Sequence, residues 1–331
     1  MKVAITGGLG FIGSDMVRYL ISESSHELLN IDSKTYAATE GSVRQVQWSP
    51  RYSEANVDIC DAETVSRVLS EFGPDIIIHM AAESHVDRSI DGPGQFIQTN
   101  IIGTYNLLQA ALGLGARFVH VSTDEVFGSL GTYDPAFTEQ SPYDPHSPYS
   151  ASKAASDHLV RAWGDTYGLD YVITNCSNNF GPFQFPEKLV PSTIIKAFRR
   201  MPVDVYGTGE NVRDWIYVRD HVRGVLMAAE LGGSGETYLF GTSGVNELTN
   251  LEMISSLMNA ADGDPSLIRF VEDRPGHDHR YGILATKARR ELGWEPLWDF
   301  HNAVEETVAF YRNSEWWWGP LFDGARLGAT T

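Results

Sequence analysis

A glycine-rich turn between an apolar run and a helical pattern constrains the fold of this sequence more than any other feature. Residues Val3–Thr6 form a short β-prone run, and Gly7, Gly10 and Gly13 follow it at three-residue spacing. Apolar residues then recur with helical periodicity over residues 11–21. Such glycines allow a tight turn and bring the free N–H groups of a helix N-terminus close to a pyrophosphate. The pattern therefore predicts the first βαβ unit of a dinucleotide-binding domain.

Strand and helix patterns alternate from this turn to about residue 177. The apolar strand runs carry no polar alternation, as expected for strands covered by helices on both faces. We therefore predict an α/β fold with a Rossmann-type, doubly wound parallel sheet in residues 1–177. The predicted strands are Val3–Thr6, Glu27–Ile31, a strand ending near Val57, Asp75–Met80, Arg117–Ser122 and Tyr171–Asn175, and the predicted helices are 11–21, Ala62–Phe72, Phe96–Leu112 and Tyr149–Tyr167.

The regular alternation of strand and helix patterns ends at about residue 178, after which loops rich in proline and glycine separate shorter elements. We expect residues 178–331 to form a smaller C-terminal α/β lobe that binds the substrate over the carboxyl ends of the strands. Part of residues 215–231 is expected to pack back on the large sheet. The helical patterns of this region are Leu189–Arg200, Val218–Glu230, Asn250–Ala260 and Asn302–Tyr311.

The cofactor expected in the glycine-rich turn is NAD. Asp32 ends the second strand, where a carboxylate accepts hydrogen bonds from the adenosine ribose and repels a 2′-phosphate. Lys34 lies close by and weakens that preference for NAD over NADP. Further candidate contacts follow other strand ends or begin the helix behind them; they are Asp58, Ile59, Ala81, Ala82 and Thr99.

Two residue pairs predict the chemistry. Tyr149 and Lys153 are four residues apart on one helix face, and an ammonium and a positive nicotinamide beside a tyrosine would lower the pKa of its hydroxyl. The Thr123 hydroxyl after the fifth strand could complete a hydrogen-bond chain to a substrate. Asp124 and Glu125 follow it, and two carboxyls with separated pKa values can serve as acid and base. Together these residues indicate a redox enzyme that also eliminates water.

Composition excludes several other classes of function. The net charge of −18 argues against binding to nucleic acid or an anionic membrane surface. Two cysteines, Cys60 and Cys176, are too few for a disulfide framework and suit a reducing compartment. No apolar run approaches transmembrane length, and the first residues enter a strand directly. We expect a cytoplasmic enzyme without a metal.

Over nearly its whole length the chain resembles the nucleotide-sugar 4,6-dehydratases of the extended short-chain dehydrogenase/reductase superfamily. The Thr-Asp-Glu triplet and the Gln-Phe-Pro-Glu-Lys stretch are the most specific of the shared segments. The segments are 7–13, Thr35-Tyr36-Ala37, 81–89, Ser122-Thr123-Asp124-Glu125-Val126-Phe127-Gly128, 177–188, Asn211-Val212-Arg213-Asp214-Trp215 and 274–278.

The resemblance implies a mechanism for the matching residues. Tyr149, assisted by Lys153 and Thr123, takes the proton of the sugar O4 while C4 gives its hydride to NAD. Glu125 then removes the C5 proton, Asp124 protonates the departing C6 hydroxyl, and the hydride returns to C6 as C5 is reprotonated. The product would be a 4-keto-6-deoxy sugar nucleotide, with dTDP-glucose as the expected substrate.

The resemblance also implies the remaining contacts and a homodimer that pairs two helices per subunit. Arg213 and Arg274 suit a diphosphate, although Arg213 could instead form a salt bridge with Asp214 or Asp220. The other expected cofactor contacts are Phe11, Ile12, Ser33, Thr35 and Asn179. The expected substrate contacts are Ser84, Thr123, Asn178, Lys188, Leu189, Asp204, Tyr206, Arg213, Asn246, Arg274 and His277.

Two departures from the family pattern concern the base and the cofactor loop. Asp204 stands two residues before the base-stacking Tyr206, where the family often has proline. Its carboxylate could accept a hydrogen bond from a base N–H or face solvent, which leaves thymine, uracil or another base open. Residues 38–41 also replace the usual Gly-Asn-containing sequence near the adenosine.

Two other functions remain possible on sequence grounds. A nucleotide-sugar 4-epimerase or a uronate decarboxylase of the same superfamily would keep Tyr149 and Lys153 but would not need Asp124 and Glu125. A non-catalytic NAD-binding regulator would carry a damaged site, whereas all four of these residues are present.

Overall fold

A computed structural model of the chain describes residues 1–273 and 276–328. The strands are β1 (Lys2–Thr6), β2 (Glu27–Asp32), β3 (Tyr52–Asn56), β4 (Ile76–His79), β5 (Arg117–Thr123), β6 (Tyr171–Cys176), β7 (Asn178–Phe180), β8 (Val203–Tyr206), β9 (Val212–Tyr217), β10 (Glu236–Phe240), β11 (Glu247–Thr249) and β12 (Ile268–Val271). The helices are α1 (Phe11–Glu23), α2 (Ala62–Phe72), α3 (Val86–Asp91), α4 (Pro93–Phe96), α5 (Thr104–Leu114), α6 (Pro148–Tyr167), α7 (Leu189–Phe198), α8 (Val218–Leu231), α9 (Asn250–Ala260), α10 (Phe300–Asn313) and α11 (Glu315–Gly328).

The predicted parallel sheet is confirmed and has seven strands in the order β10-β6-β5-β4-β1-β2-β3. Every neighbouring pair in it is parallel. Strands β2 and β3 lie on one side of β1, and β4 and the later strands lie on its other side. Ligands bind at such a reversal of strand order, beyond the carboxyl ends of the strands. In this sheet the reversal lies between the ends of β1 and β4.

Two helix layers cover the sheet and bury it on both faces. On one face, residues of α1 and α8 pack against β1, β2 and β10, with Met16, Leu20 and Val225 fully buried. On the other face, α2, α5 and α6 pack against the sheet through residues such as Leu69 and Leu108. The packing of α8 against the sheet agrees with the expectation that part of 215–231 returns to it.

The large sheet extends further along the chain than the sequence indicated. Strand β10 pairs with β6 from Glu236↔Val172 to Phe240↔Cys176. The boundary placed at residue 177 assigned this segment to the smaller lobe, which is wrong for β10. The run Glu236–Phe240 is short and follows a glycine-rich turn, so its periodicity alone could not show which sheet it joins.

The helix predicted over Phe96–Leu112 has a more complex form. The chain forms α4, then a π-helical stretch over Ile97–Gly103, and then α5. Thr99 therefore lies inside the π-helical stretch, and such stretches occur often at functional sites.

The smaller lobe contains a three-stranded sheet in the order β11-β9-β7 and a two-stranded pair of β8 with β12. Its core is formed by α7, α9 and α10 together with Trp317 and Trp318 of α11. Because β7 follows β6 after a single residue, this lobe starts directly at the carboxyl edge of the large sheet. The cleft between the lobes lies above the reversal of strand order.

Candidate active site

The turn between β1 and α1 has the shape that a pyrophosphate requires. Gly7 adopts a φ of 76°, and a Cβ placed on it would lie 2.7 Å from the Ala81 backbone. A Cβ on Gly13 would lie 2.1 Å from the carbonyl oxygen of Gly7. Both positions therefore require glycine, one for the left-handed turn and both for close packing. The N-terminus of α1 thus opens into the cleft with no side chain in front of it, which fits a dinucleotide.

Asp32 stabilises this turn and faces the adenosine end of the cleft. Its carboxylate accepts hydrogen bonds from the backbone N–H groups of Leu9 (2.9 Å) and Lys34 (2.8 Å). The Lys34 ammonium contacts Glu40 (2.6 Å) and Glu54 (2.9 Å) rather than standing unopposed beside Asp32. A 2′-phosphate here would meet three carboxylates and one lysine, so the weakening of the NAD preference expected from Lys34 is small.

All sixteen predicted cofactor contacts line one cavity of about 360 Å³, together with all five predicted catalytic residues. The cavity runs from the glycine-rich turn past the ends of β2, β4, β5 and β6. The cofactor contacts on its wall are Gly7, Gly10, Phe11, Ile12, Gly13, Asp32, Ser33, Thr35, Asp58, Ile59, Ala81, Ala82, Thr99, Tyr149, Lys153 and Asn179. The chain therefore brings these residues together as predicted, although each individual contact remains a prediction.

The end of β5 presents a threonine and two carboxyls to the cavity. Thr123 ends the strand and caps a short 3-10 turn over Asp124–Phe127, accepting a hydrogen bond from the Glu125 backbone N–H (3.3 Å). The Thr123 hydroxyl also donates to Asp124 Oδ1 (3.4 Å). Asp124 is buried and Glu125 is half-buried, and both line the cavity. The expectation that the pair points into the cleft rather than to bulk water is confirmed.

The two carboxyls of the pair differ in their electrostatic surroundings. Burial raises the pKa of Asp124 well above its usual value, and the neighbouring charges of Glu125 and Asp214 act in the same direction. Among the described residues, Asp124 Oδ2 is buried without a hydrogen-bond partner. A protonated carboxyl with a free oxygen facing a cavity is suited to donate a proton to a ligand.

Tyr149 and Lys153 lie on the first turns of α6, opposite the carboxyl pair. Burial raises the pKa of Tyr149 well above its usual value, and the charge of Glu125 adds to this, whereas a hydrogen bond with Thr123 lowers it. The Lys153 ammonium donates to the Val121 carbonyl oxygen (2.9 Å). In the protein without its cofactor the pKa of Tyr149 is therefore raised, and the lowering expected from Lys153 together with a nicotinamide stays a prediction for the NAD-bound protein.

The predicted substrate contacts divide into two groups. Ser84, Thr123, Asn178 and Lys188 line the cavity. The Oδ1 atom of Asn178 is buried with no hydrogen-bond partner among the described residues, which leaves an acceptor for a ligand. The other group lies in the smaller lobe outside the cavity wall and comprises Leu189, Asp204, Tyr206, Arg213, Asn246 and His277. Arg274 lies outside the described residues.

Arg213 is buried below the surface of the smaller lobe. Its guanidinium donates to the carbonyl oxygens of Val212 (2.7 Å) and Asp278 (3.0 Å) and stacks over the Tyr281 ring at 4.3 Å. A charged group only 4% exposed needs such partners. Its contact with a diphosphate stays a prediction.

Asp204 forms two ion pairs that the sequence did not predict. One carboxylate oxygen pairs with Arg269 of β12, and the other accepts from Lys196 of α7 at 3.2 Å. The hydrogen bond with Arg269 lowers the pKa of Asp204. The carboxylate therefore joins two elements of the smaller lobe, and its contact with a base stays a prediction. Tyr206, two residues along β8, is half exposed and available for stacking.

The cavity wall also contains residues that the sequence did not predict there, including Tyr36, Glu187 and Cys176. Tyr36 donates a hydrogen bond to Glu187 (3.2 Å), and the Arg88 guanidinium stacks 3.6 Å from the centre of its ring. These contacts join the two lobes across the mouth of the cavity. Tyr36 and Glu187 stand in the shared family segments, but only tertiary structure shows that they meet.

The fold and the cavity define a dinucleotide-dependent enzyme of the short-chain dehydrogenase/reductase type with an added pair of carboxyls. The sequence profile described as GDP-mannose 4,6 dehydratase matches residues 4–307. The dTDP-glucose 4,6-dehydratase of Neisseria meningitidis serogroup B is 48% identical, with 99% of each chain covered, and that of Escherichia coli is 45% identical over 99% of this chain and 98% of its own. The chain therefore belongs to the nucleotide-sugar 4,6-dehydratase family.

Solved structures agree with this family. DesIV of Streptomyces venezuelae, a dTDP-glucose 4,6-dehydratase solved with NAD and dTDP, superposes with a TM-score of 0.93 at 45% identity and covers 97% of this chain and 100% of its own. The UDP-glucose 4-epimerase of Thermus thermophilus, solved with NAD, superposes with a TM-score of 0.88 at 30% identity and covers 95% of this chain and 100% of its own. Within residues 1–273 and 276–328, no helix has the length and apolar character needed to cross a membrane.

Proposed function

We propose that the protein is an NAD-dependent hydro-lyase that converts a nucleoside-diphosphate hexose, dTDP-glucose, into its 4-keto-6-deoxy derivative. The observation that carries this proposal is the position of Asp124 and Glu125. Both carboxyls line the same cavity as Tyr149 and Lys153, and the cavity begins at the glycine-rich turn. Oxidation at one carbon and elimination at the next two require both sets of groups on one site.

The residues divide the proton transfers among them. Tyr149, hydrogen-bonded to Thr123, accepts the proton of the sugar O4 hydroxyl. The resulting 4-keto group makes the C5 proton acidic, and Glu125 removes it. Asp124, whose pKa is raised well above its usual value by burial, gives a proton to the C6 hydroxyl as it leaves as water. C5 regains a proton as the hydride returns to C6, so the net change is loss of one water molecule.

The cofactor expected in the glycine-rich turn is NAD, and the residues fit it. Gly7 and Gly13 allow the tight, closely packed turn that brings the N-terminus of α1 to the cavity wall, and Asp32 stands on that wall where a ribose would lie. When bound, NAD supplies an acceptor for the C4 hydride and returns the same hydride to C6, so no net oxidation occurs. Its positive nicotinamide also opposes the burial that raises the pKa of Tyr149.

A 4-epimerase is the second candidate, because epimerases with the same fold are among the similar structures. An epimerase needs Tyr149 and Lys153 but gives no task to a buried Asp124 whose pKa is raised. The carboxyl pair therefore favours the dehydratase over the epimerase and over a uronate decarboxylase of the same fold.

Incubation of the NAD-bound protein with dTDP-, UDP-, CDP- and GDP-glucose, followed by mass spectrometry, tests the proposal. We expect the dTDP sugar to lose the mass of one water molecule and to gain a keto group, faster than the other three. An unchanged mass with inverted C4 would identify an epimerase instead. Faster dehydration of another nucleotide sugar would keep the reaction but change the base.

The homodimer that the family resemblance implies is also proposed. Neighbouring positions of the π-helical stretch, α5 and α6 expose apolar side chains, among them Ile97, Ile102, Tyr105 and Tyr167. Such a stripe on two packed helices suits a second copy of the chain. The free thiols of Cys60 and Cys176 support the proposed cytoplasmic location.

Sedimentation equilibrium tests the dimer. We expect a mass of twice 36.7 kDa for the wild-type chain and a monomer for Tyr105→Glu, because a buried charge would destabilise the interface. Leu231→Glu is the matched control, since Leu231 is also exposed but lies at the end of α8 on the opposite layer. A monomeric wild type, or equal dissociation of both variants, would contradict this assignment.

A further inference from the structure

A buried cluster of polar groups lies directly behind Lys153, and the mechanism above does not use it. His120 of β5 and Asp157 of α6 both have fully buried side chains and lie outside the cavity wall. His120 Nε2 lies 3.5 Å from the Lys153 ammonium and 3.2 Å from Asp157 Oδ1. A buried carboxylate so close to a buried ammonium needs an explanation, because burying charges costs free energy unless they compensate one another.

Three donors hold Asp157 in place from three different elements. Its Oδ2 atom accepts from the hydroxyls of Tyr143 (2.7 Å) and Ser122 (3.0 Å) and from the amide of Asn175 (3.4 Å). Burial acts to raise the pKa of Asp157, but His120, the Lys153 charge and the Tyr143 hydroxyl together hold it below its usual value. Asp157 is therefore a fixed negative charge one helical turn from Lys153.

The His120 ring lies between Asp157 and Lys153 and carries no charge itself. Burial lowers the pKa of His120 to about 4, and the Lys153 charge adds to this, so the ring is neutral at physiological pH. Its Nε2 atom faces Asp157 Oδ1 at 3.2 Å without forming a hydrogen bond, since that oxygen has no hydrogen-bond partner among the described residues. The Lys153 ammonium then directs its own hydrogen bond to the Val121 carbonyl oxygen (2.9 Å), next to the Thr123 end of β5.

We propose that Asp157, together with the neutral His120 ring, is a positioning residue that keeps the Lys153 ammonium charged and in place one helical turn from Tyr149. The inference rests on the proposed dehydratase function, in which that ammonium favours tyrosinate. Neither residue touches the cavity, so neither meets the sugar. The titratable and charged groups that face this cluster come from β4, β5, β6, α6 and the loop before α6; they are His79, His120, Tyr143, Tyr149, Arg161 and Cys176.

The charges around Lys153 determine in which direction each substitution should shift its pKa. Burial lowers the pKa of Lys153 to about 8, while the Asp157 carboxylate raises it. Removing the carboxylate lowers this pKa further, so the lysine loses its proton at a lower pH. Arg161 lies on the other side of Asp157, and its guanidinium donates to Tyr143 (3.1 Å). Removing that cation leaves the field of Asp157 less compensated, so the Lys153 pKa should rise.

The test is the pH dependence of kcat for the NAD-bound enzyme with dTDP-glucose. For Asp157→Asn we expect the alkaline limb to move down by about one pH unit, which gives roughly fivefold lower kcat at pH 8, with KM little changed. For Arg161→Gln the alkaline limb should move to higher pH. Tyr143→Phe is the matched control, since it removes one hydrogen bond to Asp157 and leaves every charge in place, and its limb should not move.

The possible results distinguish a failure of the positioning role from a failure of the proposed function. A wild type that removes no water from the sugar would overturn the proposed function itself. An active wild type with an unmoved limb in Asp157→Asn, or an equal movement in Tyr143→Phe, would overturn the positioning role alone. If Asp157→Asn does not fold, Arg161→Gln decides: an upward movement supports the role and an unmoved limb contradicts it.

Discussion

Replacing Glu125 by glutamine is expected to stop elimination while leaving the oxidation at C4 intact. The amide has nearly the same shape but cannot take the C5 proton, so overall dehydration should fall by about 10³-fold, within the usual range for loss of a general base. Tyr149, Lys153 and Thr123 are unchanged, so the first proton transfer still proceeds. The absorbance of reduced nicotinamide should therefore appear on mixing with dTDP-glucose and persist instead of decaying.

Glu139→Gln is the matched control for this variant. Glu139 is also half-buried, and burial raises its pKa, but it lies outside the cavity wall. We expect its dehydration rate to be close to that of the wild type. If Glu125→Gln dehydrated the sugar at the normal rate, Glu125 would not be the base, and the division of roles within the carboxyl pair would be wrong.

Tyr149→Phe should abolish the reaction at an earlier step. The phenyl ring keeps its edge-on contact with Phe96, whose ring centre is 6.4 Å away, so the packing of α6 should survive. Without the hydroxyl there is no acceptor for the O4 proton, and we expect a loss of about 10³-fold or more. Stopped-flow absorbance should detect no reduced nicotinamide even in the first turnover, in contrast to Glu125→Gln.

A buried tyrosine away from the site controls for packing. Tyr238→Phe removes a hydroxyl that lies 3.3 Å from Glu291, outside the cavity wall, and it should leave the first turnover unchanged. A Tyr149→Phe protein that still reduced its cofactor at the wild-type rate would show that another group takes the O4 proton. Equal losses in both variants would point to a general loss of structure.

The sequence predicted those parts of the site that depend on local spacing. Asp124 and Glu125 follow a recognisable buried strand, and Tyr149 and Lys153 share one helix face, so short-range patterns were enough to bring them to one edge of the sheet. The position of Asp157 one turn beyond Lys153 was visible too, but its importance was not. Only the pairing of β5 with β6 brings Ser122 and Asn175 to that carboxylate.

Features that depend on distant partners could not be predicted. The ion pairs of Asp204 come from α7 and from β12, more than sixty positions later in the chain. The burial that raises the pKa of Tyr149 results from contacts across the whole cleft. Likewise, the buried position of Arg213 depends on the carbonyl oxygens of a loop far along the chain. In each case the sequence showed the residue type, but the residues that surround it lie far away in the chain.

The fate of the hydrogen on C4 tests the account most directly. dTDP-glucose carrying deuterium at C4 should yield a product that has lost water and carries the deuterium at C6, because one bound cofactor accepts and returns the same hydride. Nuclear magnetic resonance of the product locates the label, and its mass reports the lost water. A product of unchanged mass, or a dehydrated product with no deuterium at C6, would contradict the proposed reaction.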